Sequence, residues 1–164
     1  MKLVKPSFEI IEQEAGKEGL LRHIEKCGRT CYKSEDKITE DSAGKFVDMI
    51  INRGHTAMLE HGTVYLRIPD KSVDGQYVYP AKGKYISNKY SAVKPRLEGI
   101  PNNEYSVFYV TTNYRVLLQN GWLDDLEYQC EPTEHHVKRV TVKFVCDRGV
   151  SHEFVRHKTI LCVA

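Results

Sequence analysis

An alternating run near one end of the chain is its most constraining feature. In Val140-Thr-Val-Lys-Phe-Val-Cys146, Val140, Val142, Phe144 and Cys146 share one face and Thr141, Lys143 and Val145 the other. That period of two predicts a β-strand over 139–146. Asp147 follows where a helix N-cap belongs, able to accept from the free N–H groups of a first turn. Val150 and Phe154 are then spaced i, i+4, which predicts the buried stripe of a short helix. The next side chains, Arg156, His157 and Lys158, form a cationic run suited to gripping an anion such as phosphate. As a bare triplet, the same run also reads as a solvated chain segment.

Earlier segments repeat the mixture. Leu20, Leu21, Ile24 and Cys27 make one helical stripe from Gly16, with Gly28 as its stop. Arg29 to Ser34 reads as a polar connection. Ser42 is placed to cap a second helix whose face is Ala43, Phe46, Val47, Ile50 and Ile51, ended by Gly54. A loop through His55, Glu60 and His61 leads to an alternating strand, Thr63 to Ile68, before Pro69. Residues 69–101 carry scattered Gly, Pro, Lys and Tyr and predict a hairpin or irregular excursion. Val107, Val110, Tyr114, Leu117 and Leu118 restore helical spacing, closed by Asn120-Gly121. The pattern predicts an α+β fold: helices on an antiparallel or mixed sheet that holds both the Thr63–Ile68 and the Arg139–Cys146 strands.

Composition narrows the function. With 164 residues, 41% hydrophobic and 28% charged, the chain has the size of a single domain with one core. A formal charge of +2 argues against bulk nucleic-acid binding. No apolar run approaches a membrane span, and the first residues lack a signal-peptide pattern, which predicts a cytoplasmic protein. Five cysteines without a C-x-x-C pair read as reduced thiols, with no zinc site. His152 and His157 are five apart and so do not share a helix face as zinc ligands do. Cys31 lies between Arg29 and Lys33, a setting that lowers a thiol pKa, yet a nucleophile also needs a base beside it. His55 and Glu60, in a loop above a sheet, suit a pocket wall, while His55 and His61 also read as side chains that satisfy the backbone groups of a turn. His152 and Glu153 read either as a hydrogen-bonding pair beside an anion or as a surface pair.

Taken in order, the segments resemble the flavin-dependent thymidylate synthase family, also called thymidylate synthase complementing protein. The resemblance rests on Arg29-Thr-Cys-Tyr between two helices, on Gly54-His55-x-x-x-x-Glu60-His61 before a strand, and on a strand, a short helix and Arg156-His157-Lys158. The family signature is an Arg-His-Arg triplet, then a Ser, then a Glu-x-Ser-x-Arg segment. The match covers the chain as one partial domain, residues 1–164, except for an expansion at about 69–139. It implies an enzyme that uses FAD for the reductive methylation of dUMP to dTMP. Methylenetetrahydrofolate supplies the carbon, NADPH reduces the flavin, and no cysteine nucleophile is needed. By the resemblance, Arg156 and His157 hold the flavin, and Lys158 replaces the third arginine, keeping charge without the bidentate fork. Glu60 matches a flavin-contacting glutamate, His55 a histidine at the flavin and folate face, and Cys31 a small polar flavin neighbour. His152 and Glu153 fall where the family contacts the nucleotide, usually with Arg and Gln. The family builds its sites in a homotetramer, which implies a homo-oligomer here. Leu161 stands where the Ser is expected, and no Glu-x-Ser-x-Arg segment follows. The sequence therefore reads as a truncated form, either an enzyme or a non-catalytic flavin-binding remnant of the same fold.

Overall fold

The computed structural model describes residues 5–70, 72–73, 76–77, 80–100 and 103–154. In chain order its elements are β1 (Ser7–Ile11), α1 (Gly16–Tyr32), α2 (Ser42–Asn52), β2 (Thr63–Pro69), β3 (Ser72–Val73), β4 (Gln76–Tyr77) and α3 (Pro80–Ile86). Then come β5 (Ala92–Ile100), β6 (Asn103–Asn113), α4 (Tyr114–Asn120), β7 (Thr141–Val145) and α5 (Arg148–Phe154). Short 3-10 segments occupy Glu35–Lys37, Thr56–His61 and Leu123–Tyr128. This is an α+β arrangement with antiparallel sheets, as the sequence pattern predicts.

The main sheet has the order β2-β6-β5, and β7 is not part of it. β7 pairs instead with β1 in a separate two-stranded ribbon, Ile10 opposite Val142 and Phe8 opposite Phe144. The expectation that the strands near 63–68 and 139–146 share a sheet is therefore corrected. β2 pairs with β6, and β6 in turn with β5, both inside the span read as an expansion. One face of the main sheet carries Val64, Leu66, Ile68, Phe108 and Val110, all buried. Leu20 and Ile24 of α1, Phe46, Val47 and Ile50 of α2, and Tyr114 and Leu117 of α4 pack onto that face. The pairing of alternating strands with amphipathic helices closes one core.

The helical spacing from Val107 to Leu118 is also corrected, since the chain is strand through Asn113 and helix only from Tyr114. β6 lies between two strands and is covered on both faces, so Val107 through Asn113 are all buried. A strand buried on both faces loses its period of two and mimics a helical run. The switch occurs where the Asn113 side chain accepts from Val116 N–H at 3.0 Å, and αL Gly121 ends the helix.

α1 likewise runs past the expected stop at Gly28, to Tyr32. A glycine there serves close approach: a Cβ on Gly28 would stand 2.6 Å from Phe46 Cε1. One turn earlier, buried Glu25 accepts from Arg29 Nε at 3.0 Å and from Ser42 Oγ at 2.9 Å. Ser42 is thus the first residue of α2 and ties the helices together, also accepting from Thr39 N–H at 2.8 Å, instead of capping its own helix. Asp147 meets its expectation, accepting from Val150 N–H at 3.1 Å. Val150, however, is exposed, and α5 buries none of its residues. Phe154, ring centroid 5.1 Å from Phe144, leans on the ribbon.

Gly28→Ala is expected to destabilise the fold by about 1–3 kcal/mol, because backbone and Phe46 ring compete for one space. Gly44→Ala, in α2 with nothing within 4 Å of the added carbon, is expected to stabilise it by about 0.5–1 kcal/mol. Urea unfolding of both variants checks the contrast. Equal effects would refute the close-approach argument.

Candidate functional site

The last turn of α1 presents the first group of site residues. Lys33 adopts αL geometry (φ 50°), with its N–H on the Thr30 carbonyl at 3.3 Å and Ser34 N–H on Arg29 O at 2.9 Å. This closure turns the chain away and leaves Cys31 and Tyr32 exposed. Arg29, expected as a cation beside Cys31, points back to Glu25 and lies 4.6 Å over the Phe46 ring. The loop after α2 returns to the same place. The Tyr32 hydroxyl and His55 Nδ1 are 2.6 Å apart, and the two rings stack with centroids at 6.2 Å. Cys31 and His55, widely separated in sequence, thus belong to joined segments.

Glu60 sits farther along that loop, and its carboxylate is already engaged by Arg115 of α4. Its carbonyl accepts from Arg139 Nη2 at 3.4 Å. His61 is held below the ordinary histidine range by burial first, then by the Arg139 charge. His23 of α1 lies nearby, its Nε2 3.0 Å from Thr141 Oγ1 in β7. Burial brings His23 down to about 4, with His61 adding to the effect and the Glu12 backbone opposing it. Both rings are therefore neutral at neutral pH.

Between the end of α1 and the β7–α5 segment lies a cavity of about 760 Å³. Thr30, Lys33 and His61 line it from one side, Lys143, Arg148 and His152 from the other. Glu35 is the lining carboxylate, and Glu9 stands across the ribbon from Lys143. Cations outnumber carboxylates on this wall, which favours an anionic ligand. Cys27 also lines the cavity, but burial pushes its thiol up to about 11, so it is no thiolate at neutral pH. In α5, Arg148 Nε donates to His152 Nε2 at 3.3 Å, so the two act as one unit.

No family model, curated protein or solved structure matches the chain. The site is accordingly read from its own geometry. Of the residues singled out in the sequence, His152 lines the cavity and Glu153 follows it on α5. Cys31 and His55 stand at the α1 exit that forms one wall, though neither lines the cavity itself. Glu60 is turned toward Arg115. Arg156, His157 and Lys158 lie outside the described residues. The sequence reading missed Lys33, Arg148 and Tyr32. Arg148, Ser151 and His152 do carry a signal, an i, i+3, i+4 polar face on a short helix. Lys33 carries none, because its αL conformation gives no cue in a lysine.

A pH dependence follows from the neutral histidines. Unfolded, His23 titrates near 6.5; folded, near 4. Between these values the unfolded chain binds more protons, so stability is full above about pH 7 and falls as pH drops from about 6.5 toward 4. The loss attributable to His23 is on the order of 3 kcal/mol, and His61 acts in the same direction. His23→Gln is expected to flatten the change in urea midpoint between about pH 7.5 and 5. A variant with the full wild-type slope would refute this role.

Proposed function

We propose that the chain is a flavin-dependent thymidylate synthase-type protein that holds FAD at the cavity between the α1 exit and the β7–α5 segment. The observation that carries this reading is convergence. The Arg29–Tyr32 turn, the His55–His61 loop and the Asp147–Phe154 segment are far apart in sequence, and side chains from all three meet around one electropositive space. They include part of what carries the family resemblance, whose Arg156-His157-Lys158 triplet lies outside the described residues. The space is roomy enough for part of a large cofactor, since ligand pockets run about 300–1,000 Å³.

On this reading Lys33, Arg148 and His152 hold phosphate oxygens of FAD or dUMP by charge and hydrogen bonding. His55, at the α1 exit beside the cavity, offers a ring N–H to a flavin or folate carbonyl that extends beyond it. The neutral His61 ring, half-buried, and the neutral, buried His23 behind it add no charge to the wall. Bound FAD supplies hydride transfer to the uracil ring after reduction by NADPH, with methylenetetrahydrofolate as carbon donor. The protein's part is position and charge, and the α+β core described here is the scaffold. A homo-oligomer in the cytoplasm is the setting that fits the family.

Purified protein is expected to bind FAD and show flavin absorbance, and Lys33→Glu or Arg148→Glu to weaken binding about tenfold or more, a loss of about 1.4 kcal/mol. Unaltered affinity in both variants would move the ligand elsewhere. Deoxyuridylate-dependent tritium release with NADPH and methylenetetrahydrofolate then separates a working synthase from a flavin-binding module without turnover.

A further inference from the structure

We infer that Tyr32 is a positioning residue for His55: its hydroxyl donates to Nδ1, holds the neutral ring as the Nε2–H tautomer, and so presents one N–H donor to a carbonyl-bearing heteroaromatic ligand. The ligand class rests on the flavin reading above; the Tyr32–His55 pairing does not.

The two atoms are 2.6 Å apart, short for a bond to nitrogen. Of the two possible donors, the phenol is the stronger acid and the bare imidazole nitrogen the stronger acceptor, so the proton belongs on oxygen. Once Nδ1 accepts, the single proton of a neutral ring must sit on Nε2. His55 is exposed, and its Nε2 has no hydrogen-bond partner among the described residues. That N–H is free to meet an incoming acceptor.

Tyr32 can hold a ring in place only if it is itself held. Its ring meets the buried Phe46 edge-on, with centroids 6.4 Å apart. Phe46, a core residue, also carries the Arg29 guanidinium over its ring, and buried Glu25 grips that guanidinium at 3.0 Å. A continuous series of contacts therefore runs from a buried carboxylate to an exposed imidazole. His55 is fixed at its backbone too, its N–H donating to the Ile50 carbonyl at 3.0 Å. With ring and backbone both restrained, less orientational freedom is lost when a ligand binds.

The test is the tautomer of His55, read by long-range proton–nitrogen NMR on histidine-labelled, flavin-free protein at about pH 8. Wild type is expected to show Nδ1 unprotonated and Nε2 protonated. In Tyr32→Phe the Nδ1–H form should rise several-fold, while the His23 signals stay in place as evidence of an intact fold. FAD affinity should fall about threefold to tenfold in the same variant. A proton on Nδ1 in the wild type, or identical His55 signals in both proteins, overturns the inference. If the tautomer is as expected and neither protein binds FAD, the pairing stands and the flavin reading alone fails.

Discussion

The α1–α2 contact is the constraint on which the site depends. Phe46 fills the space that the missing side chain of Gly28 leaves open, and Glu25, sealed beneath, binds Arg29 from its own helix and Ser42 from the next. A buried carboxylate is costly unless its oxygens are satisfied, so these partners are obligatory once the helices close. Their geometry determines where α1 ends and which way Tyr32 faces. Anything that separates the helices releases Glu25, Arg29 and Phe46 together, and with them the support of His55.

Two sheets share this helical layer without pairing to each other. The main sheet is held by its apolar face, and the β1–β7 ribbon is tied by discrete polar bonds. Gln13 joins them, its side-chain amide donating to the Thr63 carbonyl at 2.7 Å and accepting from Thr63 N–H at 2.9 Å, much as a neighbouring strand would. Arg139 N–H donates to the Tyr65 hydroxyl at 3.0 Å, and His23 meets Thr141. The ribbon's outward face, with Phe8, Ile10 and Val140, stays exposed. One wall of the cavity is thus a rigid helix end and the other a ribbon held by few bonds, which suits a site that must admit a ligand.

Charge follows the same division. Deep positions near α1 carry neutral histidines because desolvation outweighs the gain from a proton. The rim carries Lys33, Lys143 and Arg148, where water still reaches the cations. The rim favours an anion, and farther in the lining is apolar and uncharged.

Local pattern determined much of this protein. The strand–cap–helix run around Asp147, the amphipathic faces of α1 and α2, the β2 alternation and the Asn120-Gly121 closure all express short-range sterics and hydrogen bonding, which a sequence carries in its spacing. Which strands pair was decided only by the tertiary fold. β6 is covered on both faces by chain distant in sequence, which erases its alternation and made Val107 and Val110 look helical. Gly28 looked like a stop because its reason for being glycine is Phe46, eighteen places on, and Lys33 took αL geometry to satisfy the end of a helix. The site shows the same limit: His55, Cys31 and His152 could be singled out by type, but their neighbours Tyr32, Lys33 and Arg148 became neighbours only when burial of the core brought three distant segments to one surface.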